Sequence, residues 1–104
     1  MEVHYDRRGS TLTVMLFGEL DENSAPEVRN SLDENITPTD TKRVVLDLSG
    51  LSFMDSTGIG VLVGRYRKFR SKSVAFFISE PNTTVDKILK LSGIYTIMPP
   101  IRTA

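Results

Sequence analysis

The chain has 104 residues, of which 39% are hydrophobic and 25% are charged, so it has the length of one domain and enough apolar residues for one core. It contains no cysteine, which excludes a disulfide framework, a thiolate metal site and a cysteine nucleophile. The formal net charge of zero argues against a protein that binds nucleic acid or an anionic membrane, because both classes usually carry a basic surplus.

Charge is nevertheless distributed unevenly along the chain. Residues 1–40 carry nine acidic and three basic side chains, whereas residues 41–104 carry four acidic and ten basic ones. Either the two halves fold against each other and the surface is mixed, or one end of the molecule is acidic. No apolar run approaches the roughly 18 residues of a membrane span, and the N-terminus lacks the pattern of a secretory signal. We therefore expect one cytoplasmic domain over residues 1–104.

The first elements are predicted to be a hairpin and a helix. Residues 3–5 and 11–17 alternate apolar and polar side chains, which predicts two antiparallel strands joined by the turn cluster between them. Residues 18–23 are predicted to form a loop. The spacing of Ser24 and Glu27 is that of a capping box and predicts a helix start. The apolar stripe of this helix consists of Ala25, Val28, Leu32 and Ile36.

Strands and helices alternate in the rest of the chain. Further strands are predicted at residues 43–48, 74–78 and 94–98. The first of them is expected to be buried on both faces, and Pro99-Pro100 is expected to end the last. One helix is predicted to begin near Ser56, and another is capped by Asn82 and closed by Gly93. The apolar stripe of the first of these helices consists of Ile59, Leu62, Val63, Tyr66 and Phe69. That of the second consists of Val85, Ile88 and Leu89.

The order β-β-α-β-α-β-α-β predicts an α/β domain. Its sheet is expected to be open, mixed and mostly parallel, with about five strands and three helices, and only the first strand is antiparallel. In such sheets ligands bind outside the carboxyl ends of the parallel strands. The loops expected there are residues 18–23, 51–57 and 79–82. Asp21 and Ser56 are therefore expected at the same edge of the fold.

The segment 51–66 is the most unusual part of the chain, because three glycines fall where the apolar spacing predicts a helix. Each glycine costs about 0.8–1 kcal/mol relative to alanine in a helix interior. At Gly64 we interpret the missing side chain as allowing the helix to pack closely on the sheet. Gly58 and Gly60 lie in the first turn, where missing side chains would open the backbone N–H groups to an approaching surface or anion. We therefore predict a contact site at this turn.

Three oxygen-bearing side chains, those of Asp55, Ser56 and Thr57, surround the predicted start of this helix, and we place Ser56 and Thr57 at its cap. A helix N-terminus tolerates a phosphate well, because N–H groups and the positive dipole end hold it. A phosphoserine adds about −1.5 to −2 charges at pH 7. Since Asp55 is adjacent and the loop of residues 18–23 is acidic, the pattern predicts a switch at this helix start.

The run Phe53-Met54-Asp55-Ser56-Thr57-Gly58-Ile59-Gly60, followed by Gly64-Arg65-Tyr66, resembles the signature of the STAS domain (sulfate transporter and anti-sigma factor antagonist). Gly18-Glu19-Leu20-Asp21 resembles the first loop motif of the family, and Leu91-Ser92-Gly93-Ile94 resembles its later Ser-Gly-Leu/Ile stretch. The resemblance covers nearly the whole chain. It is closest to the anti-sigma factor antagonists of stage II sporulation, followed by those of the general stress response.

This resemblance implies a regulatory protein that is not an enzyme and has no catalytic residues, metal or cofactor. In the family, the unphosphorylated antagonist binds an anti-sigma factor that is also a serine kinase, and so releases the sigma factor. By matching, the kinase would phosphorylate Ser56 and end the complex, and a metal-dependent serine phosphatase would reset it. The partner-binding residues implied by the same matching are Asp21, Asp55, Ser56, Thr57, Gly58, Ile59 and Gly60.

Two features depart from the family pattern, and other functions remain open. Position 57 is Thr where the sporulation branch often has Ser, and the chain ends soon after Pro100, where the family usually adds a C-terminal helix. One alternative is a general-stress or other STAS signalling module. Another is a nucleotide-binding sensor, whose loops and helix N-terminus would hold a phosphate.

Other candidate chemistry is weak. His4 is the only histidine and lies on the first strand, far in the topology from Ser56, so a Ser-His-Asp triad is not expected. No Gly-x-x-x-x-Gly-Lys-Ser/Thr loop occurs. A basic run is interpreted either as a solvated helix face or as a surface that steers an acidic protein partner. The run consists of Arg65, Arg67, Lys68, Arg70 and Lys72.

Overall fold

The computed structural model describes residues 1–101 and contains six strands and three α-helices within them. In chain order these are β1 (Glu2–Arg8), β2 (Thr11–Leu20), α1 (Ala25–Asn35), β3 (Arg43–Asp47), β4 (Leu51–Met54), α2 (Ser56–Arg70), β5 (Ala75–Ser79), α3 (Thr83–Ser92) and β6 (Pro100–Ile101). A 3-10 helix at Ile94–Thr96 lies between α3 and β6. The predicted α/β class is confirmed.

The strands form one mixed sheet in the spatial order β1-β2-β3-β5-β6. β1 is antiparallel to β2, and the other pairings are parallel, as predicted. β2 has two partners on one side, because its first half pairs with β3 and its last three residues pair with β4. The turn between β3 and β4 is hydrogen-bonded to β2, because the Gly18 N–H donates to the Gly50 C=O (3.1 Å).

The core lies on one face of the sheet, where alternate residues of β2, β3 and β5 fall in register. The buried strand residues are Leu12, Val14, Leu16, Val44, Leu46, Phe76 and Ile78. The helices cover them with the predicted stripes, which include Val28, Leu32, Leu62, Phe69, Val85 and Leu89. Each fully buried side chain of this kind stabilises the fold by about 1.5–3 kcal/mol. Within residues 1–101, no helix has both the length and the apolar character needed to cross a bilayer.

The sequence predicts a loop at residues 51–57, but its first four residues form β4, so this prediction is wrong. The cause is a bulge. Gly18 is the register partner of Leu51 and Glu19 that of Phe53, which leaves Ser52 as an extra residue. Both Ser52 and Phe53 are exposed in consequence. The bulge removes the alternation on which strand prediction depends.

The predicted strand at residues 94–98 is also wrong. Gly93 closes α3 with a left-handed backbone (φ 78°), as predicted, but the chain then turns at once into the 3-10 helix. The Met98 N–H donates to the Ile94 C=O (2.9 Å), and both side chains are buried, so their spacing is helical. The last strand lies instead at Pro100–Ile101, where the prolines are predicted to end it.

Candidate functional site

The ends of β2 and β4 meet at the carboxyl edge of the sheet. Their last residues, Leu20 and Met54, are register partners, so Asp21 and Asp55 follow them on neighbouring strands. The Asp55 N–H donates to the Leu20 C=O (3.2 Å), which joins the two strand-to-helix junctions. The prediction that Asp21 and Ser56 share an edge is confirmed.

Asp55 is the N-cap of α2. Its Oδ1 accepts from the Gly58 N–H (2.9 Å), and its C=O accepts from the Ile59 N–H (3.0 Å). These bonds satisfy donors that a helix start otherwise leaves unpaired. Ser56 and Thr57, which the sequence places at the cap, lie instead in the first turn, because Asp55 has the extended backbone (ψ −175°) that a cap requires.

The Ser56 hydroxyl is available for contact. The residue is exposed, and its oxygen has no hydrogen-bond partner in the part of the chain that the structure describes. Other serines at this edge are used by the fold: Ser52 Oγ donates to the Gly18 C=O (3.0 Å), and Ser24 Oγ donates to the Glu19 C=O (2.8 Å). Ser56 therefore differs from these two serines, because its hydroxyl is left free for a partner or a transferred group.

The three glycines of α2 have different surroundings. A Cβ on Gly58 would lie 2.5 Å from the Leu20 carbonyl oxygen and 2.9 Å from Met54 Cγ, and the residue is buried. Nothing lies within 4 Å of a Cβ placed on Gly60 or Gly64. The interpretation from sequence is thus corrected: Gly58, not Gly64, allows close packing on the sheet, and its N–H is occupied by Asp55. Gly60 is the open glycine of the first turn.

Asp21 organises the start of α1. Its Oδ1 accepts from the N–H groups of Asn23 (3.0 Å) and Ser24 (3.1 Å), and its own N–H donates to Ser24 Oγ (3.0 Å). The capping box predicted from Ser24 and Glu27 does not form, because the Ser24 hydroxyl is turned back towards the end of β2. Asp21 is half-buried, so part of its side chain still faces the edge.

The surface beside these junctions is acidic. Glu19, Glu22 and Glu27 are exposed. A shallow cleft of about 350 Å³ is lined by Met1, Glu19, Asp21, Asn23, Ser24 and Glu27. Within residues 1–101, no lysine or arginine lies within 4 Å of these carboxylates. One interpretation of the charge pattern, an acidic end of the molecule, therefore describes this edge.

The other interpretation, pairing between the two halves, describes the interface of α1 with α2. Asp33 Oδ1 lies 3.4 Å from Arg65 Nε and 3.1 Å from Lys68 Nζ. The Arg65 side chain is 15% exposed, so this pair is better shielded from water than a surface ion pair. Two members of the basic run thus hold the helices together.

Sequence reasoning missed the exposure of Phe53, which is 42% exposed three residues before Ser56. The bulge at Ser52 turns it outward. No sequence signal reveals this, because an aromatic residue next to Met54 in an apolar run is typical of a core position.

The side chains of residues 1–101 form neither a metal-binding cluster nor a Ser-His-Asp triad. No group of three or more His, Asp or Glu side chains within this range is placed to hold a metal ion. His4 lies on β1 as the register partner of Met15, and its ring meets Phe17 edge-on at 5.4 Å. It is an ordinary strand residue, as predicted.

Comparison with known proteins identifies the family. The sequence profile of the STAS domain matches residues 2–104. The chain is 35% identical over 99 residues to the anti-sigma F factor antagonist of Paenibacillus polymyxa, covering 95% of this chain and 85% of the relative. It is 28% identical over 88 residues to the anti-sigma-B factor antagonist of Staphylococcus aureus, covering 82% and 78%.

Solved structures agree. The unphosphorylated anti-sigma factor antagonist SpoIIAA is 25% identical and superposes with a TM-score of 0.76, covering 96% of this chain and 88% of that one. The phosphorylated form of the Bacillus protein is 26% identical with a TM-score of 0.72, covering 96% and 91%. The chain therefore belongs to the STAS domain family, and within it to the anti-sigma factor antagonists.

Proposed function

We propose that the unphosphorylated protein binds an anti-sigma factor that is also a serine kinase, and so releases a sigma factor. The kinase then phosphorylates Ser56, which ends the complex, and a metal-dependent serine phosphatase restores the first state. The observation that carries this proposal is the exposed Ser56 hydroxyl, which has no partner in residues 1–101. The existence of unphosphorylated and phosphorylated SpoIIAA structures supports such a cycle.

The proposed contact surface is the first turn of α2 together with Asp21. Ser56, Thr57 and Gly60 are exposed and would meet the partner directly, and Gly60 would let it approach the backbone. The other predicted site residues of this turn hold it in place and do not meet the partner directly. Asp55 caps the turn, Gly58 seats it on the end of β2, and the half-buried Ile59 packs against the core.

A phosphate on Ser56 would act on the partner rather than on the fold. It adds about −1.5 to −2 charges at pH 7, next to Asp55 and near Asp21. The Gly58 N–H is already bound to Asp55, and the first turn contains no basic side chain. The positive end of the α2 dipole tolerates this charge, so the fold persists. No cationic side chain of the turn pairs with the phosphate, and it would repel a partner that fits the neutral hydroxyl.

The relatives favour one sigma pathway over another. Both sigma F and sigma B antagonists are similar to this chain, and identity to the sigma F antagonist is higher, 35% against 28%. We therefore propose a sigma F type of partner, which places the protein in the cytoplasm with its kinase.

Calorimetric titration with the cognate anti-sigma kinase tests the proposal. Ser56→Ala should bind like the wild type and remain bound when ATP is added. Ser56→Asp should bind about tenfold more weakly or worse, a change of about 1.4 kcal/mol, with an unchanged unfolding midpoint. Thr83→Asp is the matched control, because Thr83 is an exposed residue at the first position of α3 behind the cap Asn82. Equal affinities of Ser56→Asp and Thr83→Asp would contradict the proposal.

A further inference from the structure

β1 is an edge strand of the sheet, because within residues 1–101 it pairs with β2 alone. The strand is seven residues long, its register with β2 contains no bulge, and it has neither proline nor lysine. Bulges, prolines and lysines are features that commonly keep an edge strand from pairing with another chain. The outer edge of β1 therefore has the length and the regularity that an added strand requires.

The hydrogen bonds of β2 show which backbone groups of β1 are free. The Arg43 N–H donates to the Ser10 C=O (3.2 Å), and the backbone groups of successive strand residues alternate between the two sides. The groups of Ser10 thus point towards β3, and those of Thr11 point towards β1. Since Arg8 is the register partner of Thr11, the even-numbered residues of β1 are bonded to β2. The outer edge carries the N–H and C=O groups of Val3, Tyr5 and Arg7, which have no hydrogen-bond partner among residues 1–101.

The charged side chains of β1 are complementary to those of a second β1. An interface between two identical copies is related by a two-fold axis and must therefore match itself. If two strands pair antiparallel about Tyr5, Glu2 of each copy lies opposite Arg8 of the other, and His4 lies opposite Asp6. Side chains that lie opposite each other share one face of the sheet, where opposite charges stabilise the pairing and like charges oppose it.

No neighbouring register has this property. A shift by two residues is the smallest one that keeps the free backbone groups of both strands facing each other. A shift in one direction places Asp6 opposite Glu2, and a shift in the other direction places Asp6 opposite the Asp6 of the second copy. Both registers oppose carboxylates, so the charges select the register centred on Tyr5.

Little in the single copy competes with this pairing. Glu2 lies 3.6 Å from His4, and Asp6 lies 3.0 Å from Arg8, but all four side chains are exposed. Exposed ion pairs of this kind contribute little, so they can exchange partners at small cost. On the other face of β1, Val3 and Tyr5 are half-buried against the core, and a second copy would cover more of both.

We propose that the outer edge of β1 binds a second copy of this chain, so that two sheets join antiparallel about Tyr5 into one continuous sheet. Tyr5 would exchange backbone hydrogen bonds with the second Tyr5, and Val3 of each copy would exchange them with Arg7 of the other. One strand from each copy makes a small interface, so we expect a dissociation constant on the order of 10–100 µM. The inference does not rest on the proposed function, because β1 contributes no residue to the surface proposed for the kinase.

Sedimentation equilibrium of the full chain, from about 5 µM to about 1 mM, tests the inference. We expect a reversible equilibrium between monomer and dimer. Amide hydrogen exchange at Val3, Tyr5 and Arg7 should slow as the concentration rises, because these N–H groups become bonded. A protein that stays monomeric throughout this range would overturn the inference. Dimerisation that slows exchange at residues outside β1, with no change at these three, would also overturn it.

Exchanging charges between the ends of β1 tests the register. Glu2→Arg and Arg8→Glu should each weaken the dimer about tenfold, because each places like charges opposite each other at two symmetric positions. An equimolar mixture of the two variants should associate as tightly as the wild type, since both pairs then join opposite charges again. Glu22→Arg is the matched control, with the same change of charge at an exposed residue outside β1, and should dimerise like the wild type.

Equal effects of Glu2→Arg and Glu22→Arg would contradict the proposed interface. A mixture of Glu2→Arg and Arg8→Glu that associates no more tightly than either variant alone would contradict the register. The proposed role of Ser56 would stand under all of these results, because it is measured by binding and phosphorylation with the kinase.

Discussion

The two junctions at the carboxyl edge, β2 to α1 and β4 to α2, contain the same residue types and use them in opposite ways. At the first, the Ser24 hydroxyl is held between the Glu19 C=O (2.8 Å) and the Asp21 N–H (3.0 Å). At the second, Asp55 caps the helix alone and Ser56 has no partner in residues 1–101. A serine at a helix start thus becomes available when a neighbouring carboxylate takes over the cap.

The largest effect is expected from filling the open surface of the second junction. Gly60→Arg should weaken binding of the cognate kinase by about 100-fold, or about 2.7 kcal/mol, because the new side chain occupies the partner's space. The unfolding curve should change little, since nothing lies within 4 Å of a Cβ at this position. Gly64→Arg is the matched control, because Gly64 lies one turn further along α2 and likewise has nothing within 4 Å of a placed Cβ. Normal binding by Gly60→Arg would show that the partner contacts another surface.

The packing of the same turn gives the next largest effect. Gly58→Ala should lower the free energy of unfolding by about 1–3 kcal/mol, because its Cβ would lie 2.5 Å from the Leu20 carbonyl oxygen. Gly60→Ala should raise the free energy of unfolding by about 0.5–1 kcal/mol through helix propensity alone. Urea denaturation measures both. A stabilised Gly58→Ala variant would refute the packing role of this glycine.

Substitutions of the two serines should differ by a smaller amount in their effect on the free energy of unfolding. Ser24→Ala should lower the free energy of unfolding by about 1 kcal/mol, because the Asp21 N–H loses its acceptor. Ser56→Ala should stay within about 0.5 kcal/mol of the wild type. The same urea measurements compare them. Equal destabilisation by the two substitutions would mean that Ser56 also supports the fold.

The smallest expected effect on stability concerns α3 and depends on pH. The Tyr95 hydroxyl donates to Asp86 Oδ1 (2.6 Å), and this bond, followed by that from Lys90, lowers the pKa of Asp86 below its ordinary 3.8. Burial raises the pKa of Tyr95, which keeps the hydroxyl protonated as a donor. Within residues 1–101, the acidic residues around Ser56 have neither a tyrosine hydroxyl nor a lysine at such a distance.

A lowered pKa contributes stability above the unfolded value of 3.8, and this contribution is lost as the pH falls through the folded value. In Tyr95→Phe, the pKa of Asp86 should move back up towards 3.8, and the advantage of the wild type should shrink as the pH falls below about 4. An NMR titration of the Asp86 carboxyl measures the change. An unchanged titration curve would show that the tyrosine does not stabilise the carboxylate.

Much of the fold could be predicted because its signals extend over whole elements. The stripe that contains Val28 and Leu32 recurs at helical spacing, and the run at residues 44–46 is apolar, β-branched and short, as a buried strand is. Short elements give no such repetition. The bulge at Ser52 hides β4, and apolar residues at 94–98 fit either a strand or a helical turn.

The location of the site could be predicted from the sequence, but the contacts that each of its residues makes within the fold could not. The resemblance to the STAS signature located Ser56 and its neighbours, and the structure brings them to one edge with Asp21. The close packing of Gly58 and the open surroundings of Gly60 could not be predicted, because they depend on Leu20 at the end of another strand. Which side chain caps α2 likewise depends on backbone geometry that the three adjacent oxygens leave open.

The position of the phosphate decides whether Ser56 is the switch residue. The protein is incubated with the cognate anti-sigma kinase and ATP, and the modified residue is identified by peptide mass spectrometry while the complex is followed by gel filtration. The account predicts a single phosphate on Ser56, none on Ser24, Thr57 or Thr83, and dissociation that keeps pace with modification. A phosphate on one of those other residues with Ser56 unmodified, or a phosphorylated protein that stays bound, would contradict it.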